Sequence, residues 1–114
     1  MDIEVGDFVR TINGIIGKVE QVGNSLFWLE DGSSYNLDDT KIKYSKNIID
    51  LIVVGDFVNG YRVLEICKLQ NDKYIFTTCK SDFKNICRVW GEEDIETILT
   101  YEQYLKNCYT VERN

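Results

Sequence analysis

Carboxylates are the side chains through which this chain could most readily do chemistry. Glu92, Glu93, Asp94, Glu96 and Glu102 follow one another with no basic residue between them. Such a run can face a positively charged groove as a nucleic-acid mimic does. It can equally form a solvated turn whose acids favour the dipole of a following helix. Paired acids, Asp38 with Asp39 or Glu92 with Asp94, would serve glycosidase or metal-dependent chemistry only if they lined a cleft, and adjacent acids in turns are commonplace. Histidine is absent. That removes Ser-His and Cys-His dyads, histidine ligands and histidine proton shuttles, so no catalytic residue is assigned and the chain is expected to work by binding.

Cys67, Cys79, Cys87 and Cys108 are separated by 12, 8 and 21 residues, with no Cys-x-x-Cys pair among them. This is not zinc-finger spacing. The thiols are expected to be apolar residues buried on strands, and no metal and no cofactor is predicted. Basic residues gather at Lys41, Lys43 and Lys46, and again from Arg62 to Arg88, a span of six basic and three acidic residues. Tyr74, Phe76 and Phe83 interleave with that second group and Trp90 lies just beyond it. A face that contacts phosphates and stacks bases needs this composition, although most of these aromatics read more simply as core. The net charge of −6 makes nonspecific phosphate binding weak at physiological salt, which leaves nucleic acid as the alternative partner.

The elements that must position these groups are mostly short strands. At 114 residues the chain can hold one ordinary domain or two very small ones that lean on each other. No apolar run approaches the roughly 18 residues of a membrane helix, and Met1-Asp2-Ile3-Glu4 lacks the features of a signal peptide, so a soluble cytoplasmic protein is expected. Val5 to Ile12, Ile15 to Val22, Leu26 to Glu30 and Ser33 to Leu37 read as strands. Asn13-Gly14, Gly23-Asn24 and a two-residue hairpin at Asp31-Gly32 reverse the chain between them. Phe27 and Leu29 should share the buried face, turning Trp28 outward with Glu30.

Ile3-Glu4-Val5-Gly6-Asp7-Phe8-Val9 recurs 49 residues later as Ile52-Val53-Val54-Gly55-Asp56-Phe57-Val58, with six identities in seven positions. An internal duplication or one shared strand motif would both explain the match. The pattern divides the chain into residues 1–46 and 47–114. Asp38 to Ser45 is expected to carry the chain between the units, and Asn47 to Leu51 to dock them. In the second unit Tyr61 to Leu69, Tyr74 to Cys79 and Ile86 to Trp90 read as strands, with a turn at Asn71-Asp72. Thr100-Tyr101-Glu102-Gln103 has capping-box form and predicts a helix from Tyr101 to Lys106, with Cys108 to Glu112 as a final strand.

Gly6-Asp7-x-Val9 followed by Gly14, Gly17 and Val19 resembles the opening of KOW and related SH3-like modules. The resemblance implies a mainly β fold of two tandem small SH3-like barrels packed together, with one short C-terminal helix and a final strand. Asn47 to Leu51, Val54 to Gly60 and Ile98 to Tyr104 also resemble segments of short phage and prophage proteins of low-GC Gram-positive bacteria. The absence of alanine and proline beside many Ile, Asn, Lys and Tyr residues fits AT-rich coding of that kind. Small acidic phage proteins without catalytic residues are often inhibitors of host machinery, anti-CRISPR proteins among them. The resemblance therefore implies a host protein as partner, a CRISPR effector or similar defence nuclease being the specific expectation. Glu92, Glu93, Asp94 and Glu96 are the expected contacts, with Trp28 and Tyr35 as aromatic anchors.

Overall fold

The computed structural model describes residues 2–70, 72–78 and 88–107. Its first strands are β1 (Phe8–Arg10), β2 (Ile16–Val22), β3 (Leu26–Leu29), β4 (Ser34–Asn36) and β5 (Lys43–Ser45). A 3₁₀ turn over Ile48–Leu51 then leads to β6 (Phe57–Val58), β7 (Tyr61–Leu69), β8 (Asp72–Thr77) and β9 (Arg88–Trp90). A second 3₁₀ turn, Glu92–Asp94, precedes β10 (Ile98–Leu99) and the helix α1 (Tyr101–Asn107). The strands form two antiparallel five-stranded sheets ordered β4-β3-β2-β1-β5 and β10-β6-β7-β8-β9. Counted from the first strand of each set, the two orders are the same. Both long second strands are bulged, β2 between Val19 and Gln21 and β7 between Val63 and Glu65. The bulge lets one strand bend and serve two halves of its sheet.

Local chemistry repeats along with topology. Gly6 and Gly55 stand at φ 95° and 101°, in the left-handed region that a side chain disfavours. Each glycine N–H donates across to the second strand, to the carbonyls of Val19 and Val63, and each following aspartate carbonyl accepts from the N–H of that same residue. Asp7 Oδ2 accepts from Glu4 N, and Asp56 Oδ2 from Val53 N, both at 2.9 Å. The Gly-Asp pair is thus one self-satisfied turn used twice.

Two apolar clusters lie behind these turns. Val9, Val19, Phe27 and Leu29 centre the first, with Ile3 and Ile42 at its margin, while Ile49, Ile52, Val58, Val63 and Ile75 form the second. The alternation in Leu26–Leu29 falls as the pattern predicts, Phe27 and Leu29 buried and Trp28 half-buried on the other face.

Several boundaries differ from expectation. Strand β1 is confined to Phe8–Arg10 because the Gly-Asp turn occupies its start and the Asn13-Gly14 turn its end. Lys43–Ser45 does not bridge the units. It pairs with β1 through Phe8 with Ser45 and Arg10 with Lys43, completing the first sheet. Glu30 to Ser33 makes a four-residue connection in place of the two-residue hairpin, with Asp31 Oδ1 accepting from Ser33 N at 2.9 Å. Strand β8 begins at Asp72 and ends at Thr77, two residues earlier than expected at each end. Helix α1 runs as expected and extends to Asn107. Residues 108–112, the expected final strand, Asn71, Cys79, Phe83, Ile86, Cys87 and Cys108 lie outside the described residues. Among the described residues Cys67 is the free thiol. It is half-exposed, contrary to the buried thiol expected, since it sits on the outward side of β7 next to exposed Glu65.

One side chain joins the two sheets. Arg10, 5% exposed, donates from Nη1 to the carbonyl of Leu51 at 2.9 Å and to Asp56 Oδ2, and from Nη2 to Asp56 Oδ1 at 3.0 Å and Glu102 Oε2 at 2.6 Å. Asp56 is fully buried and also accepts from Tyr101 N at 2.8 Å. Helix α1 is fixed to the first sheet by Thr100 Oγ1 donating to Gly14 O at 2.6 Å and Gln103 Nε2 donating to Asn13 O at 2.8 Å. Thr100 caps Gln103 N as predicted. Gln103 does not complete the box, because its amide is drawn instead to the first unit's turn.

Both repeated aspartates are buried, at 3% and 0% exposure, but their cationic partners are not equally so, which makes the two unequal in worth. Asp56→Ala removes the buried carboxylate that Arg10 meets twice, leaving the more exposed Glu102 as its ion-pair partner, and takes the acceptor from the N–H groups of Val53 and Tyr101. It should cost about 3–5 kcal/mol in urea unfolding at pH 7. Asp7 instead meets Lys46, whose side chain is 70% exposed, so Asp7→Ala should cost only about 1–2 kcal/mol. Equal losses would mean that the buried pair does not hold the sheets together.

Candidate functional site: an acidic pocket on the second sheet

Part of the acidic run is consumed by the fold. Glu92 turns back to cap the 3₁₀ turn of Ile48–Leu51, Oε1 accepting from Ile48 N at 3.1 Å and Oε2 from Ile49 N at 3.0 Å. Asp94 Oδ2 accepts from Gly91 N at 3.0 Å and closes its own turn. Asn59, at φ 53°, clamps the segment from the other side. Its amide donates to Asp94 O at 2.8 Å and accepts from Glu96 N and Thr97 N at 2.7 and 2.9 Å. These bonds fix the direction in which Glu93 and Glu96 leave the backbone, and both side chains are exposed.

Between this segment, the Ile48–Leu51 turn and β8 lies an open pocket of about 390 Å³, lined by Asn47, Ile49, Asp50, Asp72, Lys73, Tyr74, Gly91, Glu92 and Glu93. Four carboxylates face one ammonium. That ammonium is already engaged, Lys73 Nζ standing 2.8 Å from Asp50 Oδ1 while Asp50 Oδ2 accepts from Ser45 Oγ at 2.6 Å. The hydrogen bond from Lys73, then that from Ser45, holds the Asp50 carboxyl below its ordinary value. Asp72 and Glu93 have no hydrogen-bond or ion-pair partner among the described residues. An acidic rim with a half-buried tyrosine as one wall can receive a cationic side chain through charge-assisted hydrogen bonds and contact with the ring face.

Of the residues singled out by the sequence, Glu92 and Glu93 share this pocket, while Asp94 and Glu96 lie beside it. Trp28 and Tyr35 belong to the other sheet. Tyr35 pairs with Phe27 across β3 and β4, their ring centroids 5.8 Å apart, and closes the edge of the first core. Asp50, Asp72 and Tyr74 were expected in the docking segment, a turn and the basic, aromatic span respectively and not in the acidic site, because only the packing of β8 beside the Ile48–Leu51 turn assembles them. Within the Arg62 to Arg88 span Lys73 is paired with Asp50 and the Arg88 guanidinium lies 5.1 Å from the centre of the Tyr61 ring, while Lys80 and Lys84 lie outside the described residues. Asp38 and Asp39 lie on the connection before β5, where Asp39 Oδ1 accepts from Lys41 N at 3.0 Å. Among the described residues no three cysteine or acidic side chains are grouped so as to hold a metal ion. Among them, too, no helix is long and apolar enough to cross a membrane.

No known protein family, curated protein or solved structure matches the chain.

Removing the Glu92 cap separates its role from that of its neighbour. Glu92→Ala should cost about 1–2 kcal/mol in thermal or urea unfolding, and Glu93→Ala should stay within about 0.5 kcal/mol of the parent.

The depressed Asp50 carboxyl also sets a pH dependence. Its folded value lies below its unfolded one, so its contribution is present above about pH 4, where an unfolded aspartate is ionised, and is lost as pH falls through the lower folded value. Asp50→Asn should lower stability at neutral pH and remove this part of the acid-side slope. An unchanged slope in Asp50→Asn would show that the pair with Lys73 is not maintained in solution.

Proposed function

We propose that this is a non-enzymatic binding protein of two SH3-like barrels whose acidic pocket receives a basic side chain from the surface of a protein partner. The observation that carries the reading is the unbalanced charge of the pocket, where the side chains of Asp72 and Glu93 have no partner among the described residues and stand beside the aromatic wall of Tyr74. The identical strand order of the two sheets, the repeated Gly-Asp turn and the 3₁₀ turn just before β10 support the SH3-like reading of each unit. Specificity comes from a rim fixed before binding, since Glu92, Asp94 and Asn59 already hold the backbone that carries Glu93.

The resemblance to short phage and prophage proteins extends the proposal to a host target. A nuclease groove that holds nucleic acid is lined with Lys and Arg, which is the surface an acidic pocket fits. The protein would then act as an anti-defence inhibitor of a CRISPR effector nuclease, by occupying a basic surface that nucleic acid needs. Neither Trp28 nor Tyr35 lines the pocket. If they contribute, they do so as a separate contact.

A panel of purified CRISPR effector–guide complexes, assayed for DNA cleavage with increasing amounts of the protein, tests this. Inhibition of one effector is expected, with Asp72→Lys plus Glu93→Lys weakening it about tenfold or more and reducing its salt dependence. Direct binding of the protein to an oligonucleotide, with affinity falling steeply as salt rises, would instead favour the nucleic-acid reading.

A further inference from the structure

A second surface, of opposite sign, lies at the junction of the two sheets. We propose that the groove floored by Ile12 and Val53 and flanked by Lys41 and Lys43 receives an extended acidic peptide segment bearing an aliphatic side chain. This goes beyond the acidic pocket and shares no residue with it.

The groove has a volume of about 250 Å³. Ile12 and Val53 are 60% and 37% exposed although both are aliphatic. They come from different sheets, Ile12 from the turn after β1 and Val53 from the turn before β6, so the floor exists only because Arg10 holds the sheets together. Charge selects the occupant. Arg10 is shared between Asp56 and Glu102, so these three groups together carry one negative charge, whereas the exposed Lys41 and Lys43 side chains have no ion-pair partner among the described residues and leave the groove net positive. Two free ammonium groups beside an apolar floor attract carboxylates flanking an aliphatic residue. The backbone supplies the extended form, because Lys43 belongs to β5, which lies at the edge of its sheet. An edge strand offers unpaired N–H and C=O groups to an added strand. Nucleic acid fits less well, since no aromatic side chain lines the groove to stack a base and the Glu102 carboxylate borders it.

Fluorescence anisotropy at low salt, with fluorescein-labelled acetyl-Asp-Glu-Ile-Asp-Glu-amide as probe, tests the assignment. The peptide should bind the intact chain, and replacing its isoleucine by serine should weaken binding several-fold. Lys41→Glu plus Lys43→Glu should weaken it about tenfold or more, while Asp72→Lys plus Glu93→Lys leaves it unchanged. That last arm separates this groove from the acidic pocket. Both lysines are exposed, so thermal unfolding of the variant should match the parent. Should the charge reversal unfold the protein, Lys41→Gln plus Lys43→Gln reads the same loss. The inference is overturned if the peptide does not bind, or if binding ignores both lysine variants. It is overturned equally if an oligothymidylate binds more tightly than the peptide and is lost in the same variants, or if sedimentation shows self-association that these variants abolish, which would assign the groove to a second copy.

Discussion

A guanidinium buried between two small cores, paired with a buried carboxylate, is the constraint on which the arrangement of this protein depends. Burying two charges costs several kcal/mol each in desolvation, and only near-complete hydrogen bonding offsets it. Arg10 meets that condition by reaching Asp56 twice, the Leu51 carbonyl and Glu102. Among the described residues no buried side-chain nitrogen or oxygen lacks a partner. Burial by itself would lower the Arg10 pKa, and the paired carboxylates of Asp56 and Glu102 outweigh it and raise it. The charge is therefore constant over the whole range in which the protein is folded. An apolar contact of similar size could slide, whereas a fork of donors fits a carboxylate in one orientation. The pair adds little net stability over an apolar contact, but it sets the angle at which one sheet meets the other.

The same Gly-Asp turn is solved in two ways, and the difference separates a surface from a joint. In the first copy the aspartate faces the exposed Lys46, and in the second it faces Arg10 from the first sheet. The position in the second copy that corresponds to Arg10 is Asn59. Asn59 does not reach the other sheet. It folds back on the segment from Asp94 to Thr97 and holds the rim of the acidic pocket. One repeated position therefore joins the sheets in the first copy and holds the rim of the acidic pocket in the second.

Local features of the fold were legible where glycine and alternation dictate them. Phe27 and Leu29 had to share a face, Asn13-Gly14 had to turn, and the recurrence of the Gly-Asp motif announced a turn built twice. The mainly β class and the last helix followed from the same signals. Features that depend on contacts between distant segments were not legible. Lys43–Ser45 looks like a polar linker because an edge strand has little apolar content to declare it, and only its pairing with β1 makes it a strand. The acidic run was visible, but its division into structural and free carboxylates was not. Nothing in Glu92-Glu93-Asp94 says that the first caps a turn 43 or 44 residues away and the third caps its own. Asp72 and Tyr74 carry a turn signal and a strand signal but none that joins them to the acidic run, because that pairing depends on β8 packing beside the Ile48–Leu51 turn.

That division of labour decides how charge on this surface must be interpreted. Reversing Glu92, Glu93, Asp94 and Glu96 together would remove two caps along with two exposed carboxylates, and a lost interaction could then reflect a loosened rim as easily as a lost contact. The Glu93 and Asp72 side chains carry charge into the pocket without a hydrogen-bond or ion-pair partner among the described residues, so changing them alters potential and leaves geometry in place. At the inter-sheet groove Lys41 and Lys43 have no ion-pair partner among the described residues, while the buried Arg10 is neutralised by its partners. Across both surfaces the groups available to a partner are those the fold has no use for. The buried charges instead determine where those free groups stand, so the Arg10–Asp56 joint governs a groove to which it contributes no net charge.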